Sequence, residues 1–179
     1  MNERDIEAPS PQGNEFVISH TFDAPRALVF KVWTERAHLM QWFGPAGVTI
    51  PKAELDLRVG GGFHYCMRMP GGAEMWGKWV FREIAAPERL VLVSAFSDAD
   101  GGLTRHPMSA TWPMQTLSVT TFAELGARTE MTVRWSALDA TAEERNTFDT
   151  SHAGMRQGWA GTLAQLTAYL VTLTASTPT

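Results

Sequence analysis

From Phe148 to Leu173 the large apolar residues recur three or four positions apart: Phe148, Met155, Trp159, Leu163, Leu166, Leu170 and Leu173, with His152 in the same row. That is the period of an α-helix with one greasy side. Thr141 and Glu144 precede the row with the spacing of a capping box, and Glu143 and Glu144 suit the positive end of the helix dipole. At 3.6 residues per turn the row predicts a single rod of about seven turns, and a rod apolar on one side only must lie against a hydrophobic surface. No charged side chain occurs in residues 157–179. Thr and Gln interrupt the apolar run there, so it is amphipathic and lacks the roughly 20 continuous apolar residues that a bilayer span requires. No membrane span is expected.

The surface for this rod is readable upstream. "EFVISHTF" alternates Phe16, Ile18 and His20 against Val17, Ser19 and Thr21, as a strand does. "DAPRALVFKVWTERAHLMQWF" then changes period. Asp23 and Pro25 are start signals, Leu28, Val29, Val32 and Trp33 form a helical stripe, and a break is expected near Glu35–Ala37. The helix stops at Gly44-Pro45, and strand follows strand from Val48: "VTIPKAELDLRV", "FHYCMRM", "EMWGKWVFREI", "RLVLVSAF", "MQTLSVTTFAEL" and "RTEMTVRWSAL", punctuated by Gly60-Gly61-Gly62, Pro70-Gly71-Gly72, Pro87-Glu88 and Gly126. Residues 97–113, rich in Gly, Pro, Ser and Asp, predict one long loop. The expected order is therefore one strand, two short helices, about six antiparallel strands and a long terminal helix. The helix is the only element able to cover one face of the sheet. This is an α+β arrangement.

Bulk properties narrow the function classes. The 179 residues predict one domain spanning 14–173, with tails at 1–13 and 174–179. A net charge of −4, with 44% hydrophobic and 19% charged residues, lacks the basic excess that nucleic acid demands. Cys66 is the sole cysteine, which excludes an internal disulfide framework and fits a reducing compartment. "MNERDIEAPSPQGN" lacks the apolar run of a signal peptide, so a cytoplasmic location is expected.

The stretches "FDAPRALVFKVWTERAHLMQWFGP", "ELDLRVGGGFHYCMR", "EMWGKWVFREIAAPERLV", "SVTTFAE", "RTEMTVRW" and "HAGMRQGWAGTLAQLTAYL" occur in this order between Glu15 and Leu170. Together they resemble the Bet v 1/START-like (SRPBCC) helix-grip proteins, and within them the bacterial proteins related to the C-terminal domain of the activator of Hsp90 ATPase. The resemblance implies a curved antiparallel sheet wrapped around the long C-terminal helix, with a cavity between them. It also raises Hsp90 as a partner. Members that stimulate that ATPase carry an additional N-terminal domain, which residues 1–13 do not supply, so ATPase activation is not expected.

The greasy faces converge on that hollow. The ligand-binding candidates are Phe63, Tyr65 and Met67 from one strand, Met75, Trp79 and Phe81 from the next, Met131 with Val133 from the last, and Met155 and Trp159 from the helix. Trp33 joins them from the early helical stripe. Trp42 and Phe43, at the end of the second short helix, read as part of a pocket mouth or as core beneath that helix. Nine Met and seven Trp residues make for a soft, adaptable lining suited to a small hydrophobic or aromatic ligand. Gly154, Gly158 and Gly161 each cost the helix about 1 kcal/mol relative to Ala, which close helix–sheet packing or room for a ligand would offset, with close packing preferred.

Catalytic signals are sparse. His20, His38, His64, His106 and His152 show no metal-ligand spacing, and neither a metal nor a cofactor is implied. His64 and Cys66 share a strand face, opposite to Phe63, Tyr65 and Met67, so any thiol–imidazole pair is expected to point away from the pocket. Asp56 and Arg58 read as a salt-bridged surface. Tyr65, Glu74 and His152 are the titratable groups an enzyme of the cyclase, aromatase or hydrolase kind would use. The leading expectation is a non-catalytic binding protein. A homodimer is compatible with the uncharged helix tail and the long loop, but no residue pattern specifies one.

Overall fold

The computed structural model describes residues 12–176. Strand β1 (Gln12–Phe22) is followed by α1 (Arg26–Thr34) and α2 (Arg36–Trp42), then by β2 (Thr49–Leu55), β3 (Gly62–Arg68), β4 (Glu74–Ala85), β5 (Arg89–Ser97), β6 (Gln115–Leu125) and β7 (Arg128–Leu138), and finally by α3 (Ala142–Thr150) and α4 (His152–Ala175). The seven strands form one antiparallel sheet in the order β1-β7-β6-β5-β4-β3-β2. Strand β1 begins two residues earlier than the reading from Asn14, and α4 continues to Ala175 rather than ending at 173. The remainder of the suggested N-terminal tail lies outside the described residues.

Alternation decides which side of each strand meets the helices. Phe16 and Ile18 on β1, Phe63 and Tyr65 on β3, Trp79 and Phe81 on β4, Leu90 and Leu92 on β5, and Met131 and Val133 on β7 join one core with Trp159, Leu163, Leu166 and Leu170 of α4. Burying a side chain of this size is worth about 1.5–3 kcal/mol, so this layer dominates the stability of the fold. A smaller cluster of Val91, Val93, Leu117 and Leu138 occupies the opposite sheet face.

The terminal rod differs from the single helix suggested by its periodicity. It breaks at Ser151, whose backbone sits at φ −92°, ψ 0°. The Ser151 hydroxyl donates to the Thr147 carbonyl at 2.6 Å, and its N–H donates to the Phe148 carbonyl at 3.1 Å. Both contacts tighten the last turn of α3 and turn the chain. The apolar period runs through the break because each segment continues to face the core. At the head of α3 the expected capping box is formed: the Thr141 hydroxyl accepts from the Glu144 N–H, and the Glu144 carboxylate accepts from the Thr141 N–H.

The two early helices meet at Glu35, as the sequence suggested. Their corner is locked by Trp42, whose indole Nε1–H donates to the Val32 carbonyl at 3.0 Å while its ring packs 5.0 Å from Trp33. Gly44 then takes φ +119°, a conformation closed to most side chains, and the chain turns toward β2.

Candidate functional site

Phe43 and Trp135 line three lobes of free space, two of them bounded by α4 and the third lying between the sheet and the 97–113 loop. The outer lobe, about 220 Å³, is walled by Tyr65, Met67, Met75, Phe96, Trp112 and His106, with Ser94 and Thr116 on its floor. A second lobe of about 240 Å³ opens beside α4, between Met67, Met155, Gly158 and Trp159. A small inner chamber of about 60 Å³ is bounded by Trp33, Tyr65, Trp79, Leu92, Ser94, Ser118 and Trp159.

Phe43 holds its central place through edge-on contacts, 5.3 Å from the Tyr65 ring and 4.9 Å from the Trp79 ring. Trp135 is fixed from the other side, where its indole Nε1–H donates to Ser118 Oγ at 2.9 Å and its ring stands edge-on to Trp159 at 5.4 Å. Behind these rings, Trp33 stacks between Trp79 at 6.1 Å and Trp159 at 6.2 Å.

The sequence candidates divide on this geometry. Phe43, Tyr65, Met67, Met75, Met155 and Trp159 reach the two larger lobes, and Trp33 and Trp79 bound the inner chamber. Trp42, Phe63, Phe81 and Met131 are buried core residues that line none of the three lobes. The Trp42–Phe43 pair thus separates: Trp42 is core and Phe43 is cavity wall. Several lining residues were not among the candidates. Trp135 follows Met131 and Val133 at the two-residue period of β7, so its position was readable. His106 and Trp112 come from the 97–113 loop, where no period exists to read.

The helix glycines correct the preference for close packing. A Cβ on Gly154 or Gly158 would meet nothing within 4 Å, and only Gly161 approaches another element, at 3.7 Å from Pro45 Cβ. Gly158 stands at the open side of the second lobe. A true close approach occurs elsewhere: a Cβ on Gly77 would lie 2.5 Å from the hydroxyl of Tyr65, its cross-strand partner.

Of the titratable groups singled out, only Tyr65 reaches the cavity. Burial holds its phenol well above the usual range, with a partial offset from the Trp79 indole, so the group stays protonated. Glu74 lies on the outer face of the sheet in a 2.7 Å ion pair with Arg68. His152 is wedged edge-on between Phe16 and Phe148, and its buried Nε2 has no hydrogen-bond partner among the described residues. His64 donates Nε2–H to the Asp98 carbonyl at 3.1 Å and does not engage Cys66, whose buried thiol is pushed up in pKa by desolvation. Asp56 and Arg58 form an exposed pair at 2.8 Å. Among the described residues no cluster of His, Cys, Asp or Glu could hold a metal ion, and no helix is long and apolar enough to cross a membrane.

Residues 23–171 match the family described as activator of Hsp90 ATPase homolog 1-like protein. The chain belongs to this family. Solved structures with the same architecture include a protein from Nitrosomonas europaea at 23% identity, covering 90% of this chain and 96% of that one with a TM-score of 0.71. A protein from Arthrobacter aurescens shares 27% identity, covers 91% of each chain and gives a TM-score of 0.71. The AHSA1 protein from Silicibacter pomeroyi is 17% identical over 89% of this chain and 99% of its own, with a TM-score of 0.69. Comparison with curated proteins gives no match. For this AHSA1-family chain, family membership supports a fold of the hydrophobic ligand-binding type.

Proposed function

We propose that this chain binds a small hydrophobic or aromatic molecule in the free space around Phe43 and Trp135, bounded by the sheet, α4 and the 97–113 loop, without catalysing a reaction on it. The observation that carries this reading is the meeting of three aromatic-walled lobes at Phe43 and Trp135. Well-packed interiors leave few voids larger than a water molecule, so three aromatic-walled spaces sharing these two rings fit a small apolar occupant. Gly158 supports the same reading, since a helix interior accepts the cost of glycine where a side chain would fill the opening.

Isothermal titration with naphthalene tests the proposal. Saturable binding near one equivalent, abolished by Met67→Trp, which fills both larger lobes, is the expected outcome; no binding, or equal binding by the variant, would overturn it. The family description also names Hsp90, and this favours a second reading as a chaperone-associated factor. An ATPase assay with the host chaperone separates the two, because stimulation belongs to the second reading alone.

A further inference from the structure

Among the described residues, no Asp, Glu, Lys or Arg side chain lines any of the three lobes. An ionised ligand placed there would lose its hydration and gain no counter-charge, which is strongly unfavourable. The shape points the same way. Flat rings of Phe43, Tyr65, Trp112 and Trp135 bound the outer lobe, and a cavity of about 150 Å³ accommodates one benzene, so about 220 Å³ accepts a molecule of one or two rings.

The outer lobe is nevertheless not wholly apolar. Thr116 donates to the Ser94 carbonyl at 3.5 Å and Ser118 is taken by Trp135, but the Ser94 hydroxyl has no partner among the described residues. His106 accepts the Met108 N–H at Nδ1, at 3.0 Å. That bond fixes the proton of the neutral ring on Nε2 and opposes a second proton on Nδ1. Packing 4.6 Å from the Phe96 ring adds to this, and burial lowers the basicity of the imidazole. His106 therefore offers a neutral Nε2–H donor with no partner among the described residues, and Ser94 can either donate or accept.

We propose that the occupant is an uncharged, flat aromatic of one or two rings bearing one hydrogen-bonding group, such as a phenolic hydroxyl, bound in the outer lobe against His106 and Ser94. The inference rests on the cavity reading above and narrows it to a chemical class. It excludes fatty acids and aromatic carboxylates, which bring a charge the walls do not meet.

The experiment is calorimetric titration at pH 7 with three probes of one skeleton: naphthalene, 2-naphthol and 2-naphthoate. Expected is binding of 2-naphthol about tenfold or more tighter than either of the others, the scale of one hydrogen bond formed in a desolvated site. His106→Leu reduces 2-naphthol affinity to that of naphthalene and leaves naphthalene unchanged, His106→Gln restores part of the loss through its amide donor, and Ser94→Ala gives a smaller loss from a site within a strand. Naphthoate binding as tightly as naphthol, or naphthol indifferent to both substitutions, would overturn this inference while leaving the cavity reading standing. If none of the three binds, both fall.

Discussion

Single side chains carry the most exposed claims. Gly158 costs α4 about 1 kcal/mol relative to Ala, so Gly158→Ala raises stability by roughly that amount in a denaturant titration. Gly77 gives the contrary result: Gly77→Ala drives a methyl into the Tyr65 hydroxyl and lowers stability by about 1–3 kcal/mol, read from the unfolding midpoint. Neither sign could be read from the sequence. Glycine announces permissiveness but not its reason, and the helix glycines suggested close packing where the structure leaves space. Trp42 and Phe43 were equally ambiguous as neighbours. What separates them is the Trp42 hydrogen bond to Val32, a contact between two helices whose crossing no local pattern records.

Elements were read well wherever a period governed them. The strands alternate, α1 and α2 part at Glu35, and the capping box marks the head of α3. The break at Ser151 escaped notice because the apolar spacing continues through it, and only the side-chain bond back to Thr147 reveals the turn. The 97–113 loop is the element whose role was least readable, since its order comes from tertiary partners. Arg105 pairs with Glu144 of α3, Thr111 accepts from the Thr147 hydroxyl at 2.8 Å, and Trp112 packs 5.6 Å from Phe148. Arg105 and the Thr141 cap hold the Glu144 carboxyl below its usual range, against a smaller opposing effect of burial. With a folded-state pKa below the unfolded one, the stabilisation is complete above the unfolded value of 4.5 and is lost as pH falls through the folded value. Thermal unfolding midpoints of the wild type therefore drop on acidification below that value, and Glu144→Gln, lower at neutral pH, shows a flatter acid limb. Equal slopes for the two proteins would remove Glu144 from this role. Thr141→Ala, which takes away the other half of the box, costs about 1 kcal/mol in chemical denaturation.

For the molecule as a whole, ligand and fold are thermodynamically linked. A probe present at 100 times its dissociation constant adds about 2.7 kcal/mol to the folded state, which for a chain of this size raises the midpoint by roughly 5–10 °C. Differential scanning fluorimetry with 2-naphthol reads this directly, and the same dose given to Met67→Trp, which fills the outer lobe, produces no shift. The helix-on-sheet architecture was foreseeable because a one-sided rod and a run of alternating strands have few ways to bury each other. The lobes were not, since a void is what remains after packing and depends on how every ring is turned.

The sheet order has one further implication, for synthesis on the ribosome. Strand β1 emerges first, yet its sole neighbour in the sheet is β7, which completes its register more than a hundred residues later. Until Leu138 clears the exit tunnel, the leading segment has no edge to join, and the nascent chain must hold Phe16, Ile18 and Phe22 unsheltered from water.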